Sequence, residues 1–470
     1  MAHPKQPVEQ QVVFDSKLIQ RYDKSGPRYT SYPTAVQFHE GVGDARYRAF
    51  ATASNDDPIP RPLSLYFHIP FCATVCYYCA CNKIVTKNRG HASAYVSHLQ
   101  QEIALQGKLF DRDRTVNQLH WGGGTPTFLN QGQMRTLMRT TAKHFHLLDG
   151  DRGEYSIEVD PRTVNESTLV LLRELGFNRI SLGVQDFDTH VQKAVNRIQS
   201  EAQTLEVMEC ARHHGFKSAN VDLIYGLPLQ SVESFERTLD KIIAASPDRL
   251  SIFNYAHLPE RFKVQRQINE ADLPTPEEKL NILRSTIERL TEAGYVYIGM
   301  DHFAKPDDEL AVAQRDGTLW RNFQGYSTHG DCDLIGMGIT AIGMIGDSYA
   351  QNVHGVEDYY ERIHAGRLPV YRGVELTAED RLRRDIIMQL ICHFTLDIPR
   401  LEKKWNIKFM SYFATECHEL ESMVLDGLLA LENGILWVRP AGRLLIRNIC
   451  MVFDQYLRKD PAKQKFSRVI

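Results

Sequence analysis

Four cysteines crowd into the stretch Tyr66-Phe-His-Ile-Pro-Phe-Cys-Ala-Thr-Val-Cys-Tyr-Tyr-Cys-Ala-Cys-Asn82. Cys72, Cys76 and Cys79 follow the spacing C-x3-C-x2-C, and Cys81 comes two positions later. The residues at 63–69 alternate in a way that suits a strand running into a loop. We therefore expect the sulfurs in a loop at the C-terminal end of a strand, where α/β folds carry their chemistry.

Thiols this close in sequence can converge on one metal centre, and soft sulfur ligands select zinc, copper(I) or iron–sulfur clusters. A structural zinc site usually takes its ligands as two separated pairs, whereas these thiols lie in one short loop without a second pair. Three close thiolates suit a cubane [4Fe-4S] cluster with one iron left without a protein ligand. The spacing favours this cluster, and zinc or a set of redox thiols are the alternatives.

Length and composition are those of an ordinary globular protein with one large domain and at least one smaller one. The net charge of −3 leaves no basic footprint for nucleic acid or an anionic membrane surface. No apolar stretch reaches the ~18 residues that span a bilayer, and the polar N-terminus is not expected to be a secretory signal. The nine cysteines are an odd number and form no disulfide framework, which indicates a reducing, cytoplasmic compartment.

The chain divides by pattern into three segments. Residues 1–60 form an expected N-terminal arm, which either packs on the main domain or covers the active site. From about 60 to 255, amphipathic segments alternate with strand-like runs at 63–69, 118–121, 155–159, 179–184, 220–224 and 249–253. This alternation predicts βα units and a parallel sheet. Six such units fit a partial (βα)6 barrel, and a doubly wound open sheet is the alternative.

The expected catalytic domain spans residues 61–375 and includes a helix at 276–293, a strand at 295–299 and a glycine-rich stretch at 334–343. Residues 376–470 form an expected α-rich C-terminal domain. Its helices are expected at 379–394, 398–405 and 409–433.

Further polar groups stand at or near strand ends. Gly122-Gly-Gly-Thr-Pro126 follows the second strand, and its glycines either bare N–H groups to a ligand or make a tight turn. Glu158 ends the third strand, where a site carboxylate or a helix cap is expected. Asp222 lies within an apolar run, and a buried charge needs a partner. Arg197 is the candidate partner.

The cysteine motif, with an aromatic residue directly before Cys79, resembles the signature of the radical S-adenosylmethionine (SAM) enzymes. In that superfamily three cysteines hold the cluster, SAM chelates the fourth iron, and a 5′-deoxyadenosyl radical takes hydrogen from the substrate. Tyr66-Phe-His-Ile-Pro-Phe71, Cys81 and Asn82-Lys-Ile84 narrow the resemblance to the oxygen-independent coproporphyrinogen III oxidase (dehydrogenase) family of haem biosynthesis. The similarity extends from Arg21-Tyr22 to Phe466-Ser-Arg-Val-Ile470.

The resemblance implies a radical SAM barrel with the cluster on Cys72, Cys76 and Cys79, two SAM molecules, and catalytic roles for Tyr66 and Cys81. A fourth cluster ligand or a small buried residue is the alternative role of Cys81, which related haem chaperones usually lack. Tyr78 stands where phenylalanine is expected, but an aromatic surface is kept. The positions implied to contact SAM are Tyr66, Tyr78, Gly123, Gly124, Thr125, Glu158, Gln185, Arg197, Asp222, Ala256 and Ile342.

The implied reaction converts two propionates of coproporphyrinogen III to vinyl groups and gives protoporphyrinogen IX. The implied partners are this substrate and an electron donor such as a flavodoxin or ferredoxin, and the implied state is a cytoplasmic monomer. A haem-binding chaperone, or a radical SAM methyltransferase or ring-opening enzyme acting on porphyrins, is the alternative. Candidates for the substrate pocket, each weighed against a surface ion pair or core aromatic, are Arg28, Arg261, Arg321, Arg447, Tyr29, Tyr32, His257, His302 and Phe303.

Overall fold

The structure, a computed structural model, describes residues 12–459 and Phe466. It contains two compact units. Unit 1 comprises the described parts of Met1–Gln37, Leu283–Gly330 and Leu376–Ile470, and unit 2 comprises Phe38–Ile282 and Asp331–Glu375. The first residues of the expected arm, 1–11, and residues 467–470 of the C-terminal resemblance lie outside the described residues.

Unit 2 is built around parallel strands that alternate with helices. The strands are β1 (Leu63–Ile69), β2 (Thr115–Gly123), β3 (Glu154–Val159), β4 (Arg179–Gln185), β5 (Ser218–Tyr225) and β6 (Arg249–Asn254). Each pairs in parallel with the next one along the chain, so that all carboxyl ends meet at one edge. This unbroken order confirms the predicted partial (βα)6 barrel, and every predicted run in this region lies within a strand.

Helices cover the sheet between these strands. They are Arg89–Gln106, Gln131–His144, Glu166–Glu174, Thr189–Ala194, Glu201–His213 and Val232–Ala245. Their starts follow from local sequence, since Asn130 and Ser231 each form a reciprocal capping box with the residue three positions later. The helix Glu201–His213 was not predicted, although Ser200 caps it through the N–H of Gln203.

The sheet continues beyond β1 through β7 (Asp333–Met337), β8 (Ile342–Ile345), β9 (Ser348–Asn352) and β10 (Val370–Glu375). Strand β7 is parallel to β1, and the next three strands are antiparallel to their neighbours. The glycine-rich stretch is therefore a strand, a turn and a second strand. A Cβ at Gly336 would lie 2.8 Å from the backbone of Ile342, so the close approach of β7 and β8 requires glycine there.

A buried carboxylate holds the turn between β7 and β8. Glu102 is fully buried and accepts hydrogen bonds from the Gly338 N–H (2.8 Å), the Asn352 amide (2.9 Å) and the Tyr359 hydroxyl (2.7 Å). Burial raises the pKa of Glu102 to about 7, although these three donors oppose the rise. The arrangement ties the second half of the sheet to the helix Arg89–Gln106.

The remaining elements of unit 2 are short or peripheral. They are the helices Asp44–Ala53 and Val356–His364, the strands Phe71–Cys72, Ile84–Val85 and His146–Leu147, and the 3-10 turns Pro126–Phe128, Pro161–Thr163, Lys263–Gln267 and Glu270–Asp272. The helix Pro276–Glu292 crosses the boundary in sequence between the two units.

Unit 1 is mainly helical, as predicted for the C-terminal region. Its helices are Ser16–Tyr22, Glu309–Asp316, Ala378–His393, Ile398–Trp405, Phe409–Tyr412, Ala414–Leu425, Ile446–Val452 and Gln455–Lys459, with 3-10 turns Ala35–Gln37 and Pro440–Gly442. Its strands form two hairpins, Val296–Gly299 with His302–Ala304 and Trp320–Asn322 with Gly325–Ser327, and a three-stranded sheet of Thr395–Asp397, Leu429–Glu432 and Ile435–Val438.

The prediction of a helix over 409–433 was wrong for the residues after Leu425. The chain leaves the helix at Leu425 and returns as the strand Leu429–Glu432, which pairs with the next strand around Asn433 and Gly434. Both turn residues have positive φ, +52° and +78°, which is the conformation that Asn-Gly adopts in a two-residue hairpin.

The part of the N-terminal arm within unit 1 packs on the C-terminal segment. The Val13 N–H donates to the Pro440 carbonyl (3.1 Å), and the Asn448 amide donates to the Tyr22 carbonyl (2.6 Å). Across the described residues, we find no helix with the length and apolar composition that crossing a bilayer would need.

Candidate active site

A cavity of about 560 Å³ opens at the carboxyl ends of the parallel strands in unit 2. Its walls come from the cysteine loop after β1, the glycines after β2, and the ends of β3, β4 and β5. The structure brings most of the sequence-selected residues together here. They are Cys72, Cys76, Tyr78, Cys79, Cys81, Gly123, Gly124, Thr125, Glu158, Gln185, Arg197 and Asp222.

The backbone on both sides fixes the cysteine loop. The strand Phe71–Cys72 pairs with Ile84–Val85, so that the loop between them closes on itself. From outside, the Val195 carbonyl accepts the Tyr77 N–H (2.9 Å), and the Asn196 amide donates to the Val75 carbonyl (2.7 Å). The loop is therefore held by the segment after the helix Thr189–Ala194 as well as by its own strand.

Cys72, Cys76 and Cys79 are free, partly buried thiols, and Cys81 is exposed. The Thr125 hydroxyl lies 3.6 Å from the sulfur of Cys72. Burial raises the pKa of Cys72 to about 11. The hydrogen bond from Cys81 lowers the pKa of Cys79 to about 6, and nearby Lys83 favours the same thiolate.

The donor set fits an iron–sulfur cluster better than a single ion. A tetrahedral zinc at about 2.3 Å from each sulfur holds those sulfurs about 3.8 Å apart. Among the described residues, the groups of three or more ligand atoms lying within 4.8 Å of one another do not include these cysteines. As they lie in this structure, the three sulfurs are spread more widely than a tetrahedral ion holds them, a spacing that a cubane cluster bridges.

The glycine strip after β2, Gly123-Gly124-Thr125, uses its N–H groups within the protein. Gly123 donates to Glu158 (3.0 Å), Gly124 to the Ile69 carbonyl (2.9 Å), and Thr125 to the Phe71 carbonyl (2.8 Å). Of the two interpretations of these glycines, bared N–H groups are therefore contradicted and a tight turn is observed, because the turn folds back onto β1 and β3. The Thr125 carbonyl is in use as well, because it accepts the Phe128 N–H (2.8 Å), so the strip can offer an ammonium donor at most the carbonyl oxygens of Gly123 and Gly124.

Gly124 is constrained by a close approach. A Cβ there would lie 2.7 Å from the backbone of Pro70, a distance that real side chains do not reach. The backbone after β2 therefore passes directly against the entry to the cysteine loop.

A row of polar rings leads to Glu158. The Glu158 carboxylate lies 3.4 Å from Nε2 of His120, and the Tyr66 ring stacks on His120 with centroids 5.8 Å apart. The Tyr66 hydroxyl lies 3.2 Å from Nδ1 of His68. Burial acts to raise the pKa of Glu158, but His120 and the Gly123 N–H outweigh it and hold that pKa below its usual range.

Sequence reasoning missed both histidines of this row. His68 lies in the cysteine motif, within Tyr66-Phe-His-Ile-Pro-Phe71, and His120 lies two residues before Gly122. A histidine between the apolar residues of a strand was the signal in the sequence that could have identified each of them as a site residue. Burial raises the pKa of Tyr66 and lowers that of His68, so the phenol and the neutral imidazole are the favoured forms.

The predicted pairing of Asp222 with Arg197 was wrong. Asp222 accepts hydrogen bonds from the Ser181 hydroxyl (2.9 Å) and the Asn220 amide (2.7 Å), its neighbours in the sheet. Arg197 lies 3.4 Å from Asp160 and donates to the Gly183 carbonyl. Burial raises the pKa of Asp222 to about 6, since its partners are neutral.

Asp160, which the sequence analysis did not select, carries the charge that Arg197 meets. It also binds Arg162 through a forked contact at 2.7–3.2 Å. Nη1 of Arg197 additionally lies 3.6 Å from the sulfur of Cys76. A buried guanidinium is thereby fixed between a carboxylate and the cysteine loop.

Gln185 ends β4 in the left-handed region, at φ +70°. Its side-chain oxygen is buried and has no hydrogen-bond partner among the described residues. A buried acceptor left unsatisfied costs about 1–3 kcal/mol, so a donor from a ligand is expected at this wall of the cavity.

Three selected residues lie beside the cavity wall. Tyr66 adjoins it through His120 and Glu158, as described above. The carbonyls of Ala256 and Tyr78 both accept from the buried amide of Gln265, at 3.3 and 3.1 Å, and sequence reasoning did not select this glutamine. Ile342 begins β8, whose backbone packs against Gly336, the residue opposite Tyr66 in the sheet.

The substrate-side candidates fall into both units. In unit 2, Arg261 is exposed and His257 lies 2.8 Å from the Tyr255 hydroxyl. In unit 1, the aromatic candidates Tyr29, Tyr32 and Phe303 are buried core residues. The other candidates of unit 1 are Arg28, Arg321, Arg447 and His302.

Comparison with known proteins gives matches over nearly the whole chain. The Radical SAM superfamily model matches residues 66–242, and the HemN C-terminal domain model matches residues 376–445. The chain is 55% identical to the oxygen-independent coproporphyrinogen III oxidase of Pseudomonas aeruginosa, over 97% of this chain and 99% of that protein. It is 53% identical to the Escherichia coli protein of the same name, over 98% and 99%.

The chain belongs to the oxygen-independent coproporphyrinogen III oxidase family. The solved coproporphyrinogen III oxidase of Escherichia coli, described as a radical SAM enzyme, superposes with a TM-score of 0.90 at 50% identity. The match covers 95% of this chain and all of that one. This member of the coproporphyrinogen III oxidase family is therefore a radical SAM enzyme whose cofactors are a [4Fe-4S] cluster and SAM, and the family resemblance is confirmed.

Proposed function

We propose that this enzyme converts two propionate side chains of coproporphyrinogen III to vinyl groups without oxygen, giving protoporphyrinogen IX. Each propionate would give a β-hydrogen atom to the 5′-deoxyadenosyl group derived from SAM, release carbon dioxide, and pass one further electron to a one-electron acceptor. The proposal is carried by the cysteine loop, with its additional Cys81, opening on one cavity in a chain more than half identical to oxidases of that name.

We assign the cluster to Cys72, Cys76 and Cys79. When bound, the cluster and SAM supply the one-electron chemistry that removes hydrogen from the substrate. Cys81 is assigned a catalytic role rather than a fourth ligand position, because a fourth thiolate would occupy the iron that SAM needs. Arg197 sits beside Cys76, where its positive charge stabilises a thiolate.

The residues around the glycine strip suit the polar groups of SAM. The strip, Gly123-Gly124-Thr125, offers at most the carbonyl oxygens of Gly123 and Gly124 to an ammonium group, and Glu158 beside it keeps a negative charge at neutral pH. Gln185 and Asp222 supply acceptors for hydroxyl or amino donors from the next two strands.

The remaining assigned contacts are mainly apolar or aromatic. Tyr78, Ala256 and Ile342 offer surface for the less polar parts of the ligands, and Tyr66 is assigned a second role in catalysis. We place two SAM molecules among these positions. Gln265 fixes the backbone of Tyr78 and Ala256 and is a positioning residue.

We further propose that the enzyme acts as a monomer in the cytoplasm and receives electrons from a small donor such as a flavodoxin or ferredoxin. The free thiols support a reducing compartment, since every described cysteine is unpaired. Cleavage of SAM to give 5′-deoxyadenosine consumes one electron, and a small donor of this kind would supply it.

The test is anaerobic reconstitution of the cluster, followed by reductant, SAM and coproporphyrinogen III. Products are separated by chromatography and identified by mass. Successive loss of two carboxyl groups, with 5′-deoxyadenosine formed alongside, is the expected result. Formation of 5′-deoxyadenosine without decarboxylation would overturn the assigned substrate. Tight retention of haem with neither product would instead indicate a chaperone.

A further inference from the structure

Three neighbouring strands of unit 2 place a histidine next to the cavity carboxylate, Glu158. In the sheet register, His120 of β2 lies opposite Tyr66 of β1 on one side and opposite Ser156 of β3 on the other. Glu158 lies two residues after Ser156 and therefore on the same face of β3. Because cross-strand neighbours on one face are close enough for their side chains to meet, the sheet brings these four side chains into one group.

The hydrogen bonds of the His120 ring determine which ring nitrogen carries the proton. Nε2 lies 3.4 Å from Oε1 of Glu158, and Nδ1 lies 2.6 Å from the Ser156 hydroxyl. The pKa of Glu158 lies below its usual range, because the donors around the carboxylate outweigh the effect of burial, so at neutral pH the carboxylate only accepts hydrogen bonds. Nε2 therefore donates to Glu158, and in the neutral ring Nδ1 accepts a hydrogen bond from the Ser156 hydroxyl.

The histidine ring is also held from its other sides. It stacks on the Tyr66 ring at an interplanar angle of 11°, with the ring centres 5.8 Å apart. A Cβ at Gly122 would lie 2.8 Å from Oε1 of Glu158 and 3.0 Å from Nε2 of His120, so the glycine leaves the space in which these two side chains meet. The position of the Nε2 donor is thus set by the surrounding residues before a ligand binds.

Glu158 presents part of its carboxylate to the cavity. Its side chain is 43% exposed and lines the cavity wall, whereas the side chain of His120 is 16% exposed. Among the described residues, His120 is the donor to Oε1 and the Gly123 N–H is the donor to Oε2. An ionised carboxylate can accept about four hydrogen bonds, so both oxygens keep capacity for a donor from a ligand. His120 is therefore placed to act on a ligand through the carboxylate.

We infer that His120 is a positioning residue for SAM binding, which holds the Glu158 carboxylate through its Nε2 proton and is itself held by Ser156. The inference rests on the proposed function in one respect, which is the assignment of Glu158 to SAM. Hydrogen bonds to a charged group are roughly twice as strong as those between neutral groups. An acceptor that is already held in place need not be ordered by its ligand, so the loss of His120 is expected to lower SAM affinity.

Anaerobic equilibrium dialysis of SAM with the reconstituted holoenzyme tests the inference without turnover. His120→Phe keeps an aromatic ring against Tyr66 and removes the donor, so it is expected to weaken SAM binding by about 10-fold. His120→Gln keeps an N–H donor and is expected to bind SAM within about 3-fold of the unaltered protein. Unchanged affinity in His120→Phe, or an equal loss in both variants, would overturn the inference.

A double-mutant cycle separates positioning from a general effect on the fold. If His120 acts through Glu158, the variant that carries both His120→Phe and Glu158→Gln binds SAM no more weakly than Glu158→Gln alone. Losses that multiply would show that the histidine acts independently of the carboxylate, and the inference would fail. Iron content after reconstitution checks that all variants are compared as holoenzymes.

Ser156→Ala is a second variant, which removes only a hydroxyl group. It frees Nδ1 of His120 and leaves Glu158 unaltered, so SAM binding is expected to weaken several-fold. This loss is expected to disappear when Glu158→Gln is also present. Ser156→Ala decides the test if His120→Phe takes up no cluster, and unchanged SAM affinity in Ser156→Ala contradicts the inference in either case.

His190→Phe is the matched control. His190 also lies 3.4 Å from a carboxylate, that of Asp188, but its side chain is 79% exposed and is not part of the cavity wall. SAM binding is therefore expected to be unchanged in this variant. A loss as large as that in His120→Phe would show that any histidine–carboxylate contact has this effect, and the specific role of His120 would be lost.

The outcome is separable from that of the proposed function. If SAM affinity depends on His120 through Glu158 but coproporphyrinogen III yields no decarboxylated product, the positioning role holds and the proposed reaction fails. If decarboxylation proceeds and His120→Phe binds SAM as the unaltered protein does, the reaction holds and the positioning role fails.

Discussion

The backbone N–H of Gly123 donates to Oε2 of Glu158 over 3.0 Å, and this contact joins the ends of β2 and β3 at the cavity wall. One carboxylate thereby orients the glycine strip and also faces the space where SAM is assigned.

We expect Glu158→Gln to weaken SAM binding to the reconstituted holoenzyme by about 10-fold or more, because the variant loses the negative charge and brings an amide donor against other donors. Equilibrium dialysis with SAM measures this. Glu174→Gln, an exposed carboxylate paired with Arg135, is the control and should bind normally. Normal affinity in Glu158→Gln would remove this residue from the assigned site.

Replacement of a motif cysteine is expected to abolish cluster assembly. Cys76→Ser should retain little iron and sulfide after anaerobic reconstitution, because serine lacks the soft thiolate that the cluster requires. Cys210→Ser changes a partly buried thiol on the helix Glu201–His213 and should load iron as the unaltered protein does. Full iron content in Cys76→Ser would exclude this residue as a ligand.

Asp222 predicts a defined pH dependence of stability. Its usual pKa is 3.8, and burial raises the pKa in the folded protein to about 6. The folded protein holds this proton more tightly, so stability is lost as pH rises between those two values. Relative to Asp222→Asn, which does not titrate, the unaltered protein should lose about 2–3 kcal/mol over that range and nothing further above pH 7.

Denaturant unfolding of both proteins at several pH values measures this difference. Any constant offset from altered hydrogen bonds to Ser181 and Asn220 is the same at every pH and does not affect the result. A stability difference that stays constant from pH 4 to 7 would contradict the raised pKa.

The hairpin turn of unit 1 should be sensitive to a single methyl group. Gly434→Ala places a Cβ on a residue with φ +78° and 3.0 Å from Pro399, so we expect a loss of about 1–2 kcal/mol in stability. Gly355→Ala, at φ −84° with no atom within 4 Å of the new Cβ, is the control. Equal melting temperatures for the two variants would show that the turn tolerates the substitution.

Local pattern was sufficient for the barrel. The runs at 118–121 and 220–224 alternate polar and apolar residues, and a glycine follows each of them within two positions, so their strand character is visible in sequence alone. Asn433-Gly434 is a strong signal for a hairpin turn. The prediction nevertheless continued the helix through this turn, because the surrounding residues favour helices. The iron–sulfur cluster could be predicted because the spacing of the cysteines is a local property of the sequence.

The side-chain partners of the site residues could not be predicted from local pattern in the same way. Asp222 meets Ser181 because β4 and β5 are neighbours in the sheet, and Arg197 contacts Asp160 from a separate loop. Gln265 is more than 180 positions from the Tyr78 carbonyl that it binds. Such contacts depend on three-dimensional register, which composition and periodicity do not encode.

The glycine strip also has a consequence for selectivity. Its three N–H groups are already bound to Glu158, Ile69 and Phe71, so the turn is rigid before any ligand arrives and binding need not order it. A ligand with a primary amine meets backbone acceptors that are already held in place, so its binding does not include the cost of ordering this turn. A deaminated analogue would strip water from the same carbonyls without replacing its hydrogen bonds, and should be rejected for that reason.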